Sequence, residues 1–139
     1  MASMEEVDRI ISEGSSFSSA GDNVLLLHQV SDPDVLKALV AAVFSRKIRT
    51  AVVPYGNANS PEVRIISDGN EGARLLAEEI TKHLSGKIAG SGRHITITGI
   101  SGFPDEKLIS RILDGKQASS FYFFYFFRCQ TFEMCDVEP

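Results

Sequence analysis

The order of two kinds of apolar pattern between residues 23 and 115 constrains the fold of this chain most. Short apolar runs and strictly alternating runs predict β-strands, whereas apolar residues recurring every three or four positions predict helices. The predicted elements are, in order, strand Val24–Val30, helix Pro33–Arg46, strand Arg49–Val53, strand Val63–Ser67, helix Glu71–Leu84 and strand His94–Ile100. This order is that of a split βαβ arrangement. We therefore predict an α/β (α+β) fold, a two-layer sandwich whose mixed four-stranded sheet carries its helices on one face.

The regular pattern covers only the middle of the chain. A further apolar stripe at Leu108–Leu113 predicts a third helix that ends at Gly115, so we place one α/β domain at residues 23–115. Residues 1–22 are predicted to form an arm and linker, with one short amphipathic turn and a flexible Ser-rich connector at Ser15–Gly21. At 139 residues, the chain is long enough for a domain with its own hydrophobic core.

The tail at residues 116–139 departs from these patterns because it contains Phe121–Phe127, seven consecutive aromatic residues. That run is far shorter than the roughly 20 residues of a transmembrane helix, so no transmembrane segment is predicted. It could be an interfacial membrane anchor, although only Arg128 offers a basic flank. It could also be an edge strand, a contact for a partner domain, or a site of self-association. We favour another interpretation, an irregular tail not selected for folding, as in a truncated product.

Charge and cysteine content limit the class of protein. The formal net charge is −4 and the isoelectric point about 5.3, which excludes a basic surface over the whole molecule, so any polyanion must bind locally. Cys129 and Cys135 lack a usual zinc spacing, which favours two reduced thiols in a cytosolic protein. The acidic N-terminus does not match a targeting signal. We predict a cytoplasmic protein that binds no metal and needs no cofactor.

A glycine-rich basic segment, Gly86–Gly99, is the strongest functional candidate. Lys87, Arg93 and His94 supply hydrogen-bond donors there, and no acidic residue occurs between Glu79 and Asp105. Glycines allow backbone N–H groups to approach a ligand closely, so the part that leads into the predicted strand His94–Ile100 is predicted to be a loop that binds phosphate or carboxylate. The alternative is a glycine that ends the preceding helix, followed by an ordinary connecting loop.

The segment also resembles a motif of the DHH-associated domain, which follows the catalytic domain of DHH-family phosphoesterases and forms the C-terminal module of alanyl-tRNA synthetases. In that family a helix similar to Glu71–Leu84 precedes the pattern Gly-Gly-Gly-His-x-x-Ala-Ala-Gly. Ser91 and Arg93 stand at the first and third glycine positions here, with Gly92 between them. His94 then matches the histidine and Gly99 the closing glycine, whereas larger residues stand at the alanine positions.

The resemblance implies a substrate-binding module without chemistry of its own. In the family the glycine–histidine turn binds the phosphate end of the substrate, while a separate Asp-His-His domain holds the metals. No Asp-His-His sequence occurs here, so no catalytic and no metal-binding residue is predicted. The predicted ligand-binding residues are Lys87, Gly90, Ser91, Gly92, Arg93, His94 and Gly99.

Two functions follow from these residues. The first is a non-catalytic module that binds nucleic acid or a phosphorylated small molecule. The second is an interaction or orphan α/β domain, without a small-molecule ligand.

Overall fold

The computed structural model describes residues 3–19 and 22–114, which form a six-stranded sheet and four helices. The helices are α1 (Met4–Ser12), α2 (Pro33–Ser45), α3 (Glu71–Leu84) and α4 (106–114, where the described residues end). The strands are β1 (Ser15–Ser19), β2 (Asp22–Leu26), β3 (Thr50–Asn57), β4 (Ser60–Ser67), β5 (Lys87–Ser91) and β6 (His94–Thr98).

The sheet is mixed, with the strand order β1-β2-β3-β4-β6-β5. The β2–β3 pair is parallel and is connected through α2, and the other four pairs are antiparallel. The predicted mixed α/β class is therefore confirmed. The predicted count of four strands is corrected to six, because β1 and β5 add one strand at each edge.

Helices pack on both faces of the sheet, and not on one face as predicted. Neighbouring residues of the central strands point to opposite sides, so that Val52 packs in a cluster with α3 and α4 whereas Ala51 and Val53 pack with α1 and α2. In β4, Ile65 and Ile66 divide between the two clusters in the same way. The architecture thus has three layers. The central strands β3 and β4 are buried on both sides, which explains why their sequences contain nearly continuous apolar runs.

The helix starts follow from capping residues in the sequence. The Asp32 side chain accepts a hydrogen bond from the Asp34 backbone N–H (2.9 Å), and Pro33 occupies the first turn of α2. The Asn70 side chain accepts a hydrogen bond from the backbone N–H of Ala73 (2.8 Å) at the start of α3. These two predicted helices are present, and each begins and ends within about one residue of its prediction. The third predicted helix, at Leu108–Leu113, is present as α4.

The N-terminal segment belongs to the folded structure. Val7 and Ile10 of α1 are buried in the cluster beneath α2, and β1 pairs with β2 along its whole length. The expectation of a flexible connector is therefore wrong for Ser15–Ser19. Phe121–Phe127 and both cysteines lie outside the described residues. Within the described ranges, no helix is both long and apolar enough to span a membrane.

Candidate functional site

The glycine-rich segment is a β-hairpin. Its second strand matches the predicted strand His94–Ile100, whereas its first strand occupies residues that were predicted to form a loop. Strands β5 and β6 pair from Ser91 opposite His94 at the turn to Lys87 opposite Thr98 at the base. Only Gly92 and Arg93 lie between the strands, and Gly92 has φ of +70°. A glycine with positive φ at the first of two turn positions is typical of a type II′ turn, whose twist matches that of the flanking strands.

The two glycines at this turn have different surroundings. A Cβ atom added at Gly90, where φ is +79°, would lie 2.8 Å from the backbone oxygen of His94. A Cβ atom added at Gly92 would meet no atom within 4 Å. Gly90 is therefore required by the packing of the hairpin itself, whereas Gly92 leaves its backbone open to an approaching molecule.

The seven predicted ligand-binding residues divide between the two ends of the hairpin. Gly90, Ser91, Gly92, Arg93 and His94 lie together at the turn. Lys87 and Gly99 lie at the base, about 14 Å from the turn at the usual rise of about 3.4 Å per strand residue. One phosphate group cannot contact both ends. A ligand that binds Arg93 and Lys87 together has to extend along the hairpin.

Arg93 is the exposed cation of the turn. Its carbonyl oxygen accepts a hydrogen bond from the backbone N–H of Ser67 (2.9 Å), which fixes the turn against the end of β4. Its guanidinium carbon lies 5.9 Å from the ring centroid of Phe44 on α2, and 40% of Phe44 is exposed. Among the described residues, no carboxylate pairs with Arg93. The positive charge is therefore available to an external anion.

His94 is less available than the sequence suggested. Its side chain is half-buried, and no described group hydrogen-bonds to its Nε2 atom. Burial lowers the pKa of His94 below its ordinary value, and the positive charge of Arg64 lowers it further. The imidazole is consequently uncharged at neutral pH, so it adds no positive charge to the turn under those conditions.

His94 belongs to a sheet face that α2 covers only in part. Residues directly opposite each other in a sheet point to the same side, so His94 shares its side with Ile66 and Ala51, and Thr96 shares it with Arg64 and Val53. Ile66, Ala51 and Val53 are buried beneath the helices of that layer. The remaining side chains on this side are half-buried or exposed, and we call them the open sheet face: Tyr55, Glu62, Arg64, Lys87, Ala89, His94, Thr96 and Thr98.

Arg64 and Tyr55 are site residues that the sequence prediction missed. The guanidinium carbon of Arg64 lies 5.1 Å from the centroid of the Tyr55 ring, and Glu62 holds the same guanidinium by an ion pair of 3.0 Å. The predicted strand Arg49–Val53 ends two residues before Tyr55, whereas β3 continues to Asn57. The available signal was the alternation Ala51, Val53, Tyr55, which continues past Pro54.

Two pockets among the described residues lie away from the hairpin, and those residues contain no metal centre. In residues 3–19 and 22–114, no three His, Cys, Asp or Glu side chains cluster in a way that could hold a metal ion. Two surface pockets of about 260 and 320 Å³ lie along β1 and β2, at the opposite edge of the sheet from β5 and β6. The hairpin and the open sheet face are suited to an extended ligand on a surface.

Two solved structures are similar to this fold. The C-Ala domain from Aquifex aeolicus alanyl-tRNA synthetase has a TM-score of 0.51 and 18% identity, over 71% of this chain and 97% of that domain. A putative family II inorganic pyrophosphatase from Methanococcus jannaschii has a TM-score of 0.45 and 14% identity, over 78% of this chain and 36% of that one. The first similarity supports the resemblance to the DHH-associated domain at the level of the fold. No protein-family model matches the chain, and no curated protein sequence does either.

Proposed function

We propose that this domain is a non-catalytic module that binds nucleic acid through the phosphate backbone. The observation that carries the proposal is the position of Arg93, on an exposed turn with no carboxylate partner among the described residues. The open backbone of Gly92 beside it leaves room for a phosphate group. A guanidinium can donate two parallel hydrogen bonds to phosphate oxygens, which makes arginine well suited to this contact.

Nucleic acid fits the arrangement better than a small phosphorylated molecule. Lys87 lies about 14 Å from the turn along the hairpin, so both cations can be used only by a ligand with phosphates spaced along a chain. The similar C-Ala domain comes from an enzyme named for tRNA, which is consistent with this choice. Because the whole chain carries a net charge of −4, binding depends on this local group of cations.

The proposal is tested by reversing the charge of Arg93. In a fluorescence-anisotropy titration at low salt, we expect the wild type to bind a labelled single-stranded oligonucleotide with a Kd of about 10⁻⁴–10⁻⁵ M. Arg93→Glu should weaken that binding about tenfold or more, while the melting temperature changes little because Arg93 is exposed.

The matched control is Lys107→Glu. Lys107 is also exposed, but it lies on α4, which packs on the opposite face of the sheet from Arg64. The control makes the same change in net charge and should retain most of the affinity. Equal losses for the two variants would mean that only the overall charge matters. An unchanged affinity in Arg93→Glu would remove the phosphate contact and favour an interaction domain.

A further inference from the structure

Two pairs of arginine and aromatic side chains lie on the same side of the sheet. Arg93 lies against Phe44 at the edge of α2, and Arg64 lies against Tyr55 on the open sheet face. A flat guanidinium over a ring forms a platform on which an unpaired base can stack. From strand spacings of about 4.8 Å and rises of about 3.4 Å, the Cα atoms of Arg93 and Tyr55 are roughly 20 Å apart.

The surface between the pairs is largely polar and carries one cation, Lys87. Thr96 and His94 lie on β6, with Ala89 and Lys87 beside them on β5. Glu62 is the carboxylate on the open sheet face, and it is already paired with Arg64.

A further cation on this side of the sheet lies on α2. Lys37 precedes Phe44 by seven residues, which places both on the same side of α2 about two turns apart. Together with those of Lys87 and Arg93, the charge of Lys37 gives this side of the sheet three cations for a polyanion, while Arg64 is paired with Glu62.

We propose that a single-stranded stretch of nucleic acid lies across the open sheet face, with its bases stacked on the Arg64–Tyr55 and Arg93–Phe44 pairs. This inference rests on the proposed function and specifies its ligand, because a duplex keeps its bases stacked inside and offers this face only its phosphates. At about 3.4 Å per stacked nucleotide, up to about six nucleotides bridge the two pairs.

The test compares binding of an octauridylate, a deoxyoctathymidylate and an RNA duplex of the same length at one salt concentration. We expect both single strands to bind more tightly than the duplex. Tyr55→Leu, which keeps apolar volume but removes the ring, should weaken binding of the single strands about fivefold or more. Tyr55→Phe keeps the ring and should bind as the wild type does.

A second variant tests the same surface without touching a packed side chain. Ala89 is exposed on β5, so Ala89→Glu adds a negative charge to the open sheet face and should also weaken binding of the single strands. Its control is Leu75→Glu, which adds the same negative charge on the other face of the sheet. Leu75 lies on α3 and is 39% exposed. Thermal melts of all four variants show whether each one is folded.

The outcomes separate this inference from the proposed function. If Arg93→Glu abolishes binding while Tyr55→Leu and Ala89→Glu bind normally, the phosphate contact stands and the path across the open sheet face is wrong. Equal affinity for the duplex and the single strands would also overturn it. If the wild type binds none of the three ligands, the proposed function itself fails.

Discussion

Replacing Gly90 with alanine should destabilise the hairpin more than the same change at Gly92. Both residues have positive φ, +79° and +70°, where alanine costs about 1–2 kcal/mol. At Gly90 the new Cβ atom would also lie 2.8 Å from the backbone oxygen of His94, and moving the two strands apart adds about 1–3 kcal/mol. We therefore expect a loss of about 2–5 kcal/mol for Gly90→Ala and about 1–2 kcal/mol for Gly92→Ala.

Chemical denaturation with urea, followed by circular dichroism, measures this difference directly. At roughly 4 °C per kcal/mol, thermal melts should show a drop of about 8–20 °C for Gly90→Ala and about 4–8 °C for Gly92→Ala. The Gly92 variant serves as the control, because it changes the same residue type in the same turn without the steric contact. Equal losses for both variants would refute the steric argument.

Three further predictions concern other parts of the molecule. Val7→Ala should lower the free energy of unfolding by about 2 kcal/mol in urea titrations, because Val7 is 1% exposed beneath α2. An unchanged free energy of unfolding would mean that α1 is not part of the core. Because the pKa of His94 is lowered in the folded state, the fold favours the neutral imidazole. The contribution of His94 to stability is therefore complete above the unfolded-state pKa of about 6.5 and is lost as the pH falls below that value. His94→Gln should flatten that part of the stability–pH curve, and an unchanged curve would contradict the assignment. A chain ending at Gly115 should still unfold cooperatively, since Ile109, Ile112 and Leu113 already bury α4 against the sheet. It should also scatter less light, because it lacks the aromatic run. A much lower melting temperature would show that the tail is structural.

The elements with strong periodicity were predictable from the sequence. The apolar stripes and caps predict α2 and α3, and the apolar or alternating runs predict the four inner strands. The edge strands were missed because β1 is almost entirely serine and β5 contains two residues without a large side chain, Ala89 and Gly90. A strand of this kind is defined by pairing with its neighbour and not by its own pattern.

The sequence contains a signal for helices on both faces of the sheet. The uninterrupted runs Ala51–Val53 and Ile65–Ile66 have apolar side chains on both sides of the sheet, which requires cover on both faces. The prediction of helices on one face followed from the split βαβ order of the elements, which takes no account of these runs.

The sequence predicts which residue types form the candidate site but not how they are arranged in space. The glycine-rich segment was recognised as cationic, and the structure adds that its residues are spread along a hairpin. Arg64 and Tyr55 are separated by eight residues in the sequence and meet only because β3 and β4 pair. Contacts of this kind depend on the register of the sheet, which local patterns do not determine.

The salt dependence of binding tests the central claim most directly. If Arg93 and Lys87 each contact a phosphate, the logarithm of the association constant for a single-stranded oligonucleotide should fall linearly with the logarithm of the salt concentration. The expected slope is about −1.4, since each contact on a single strand contributes about −0.7. Arg93→Glu removes one of the two contacts and should bring the slope to about −0.7. An affinity of the wild type that does not change with salt would contradict binding through the phosphate backbone.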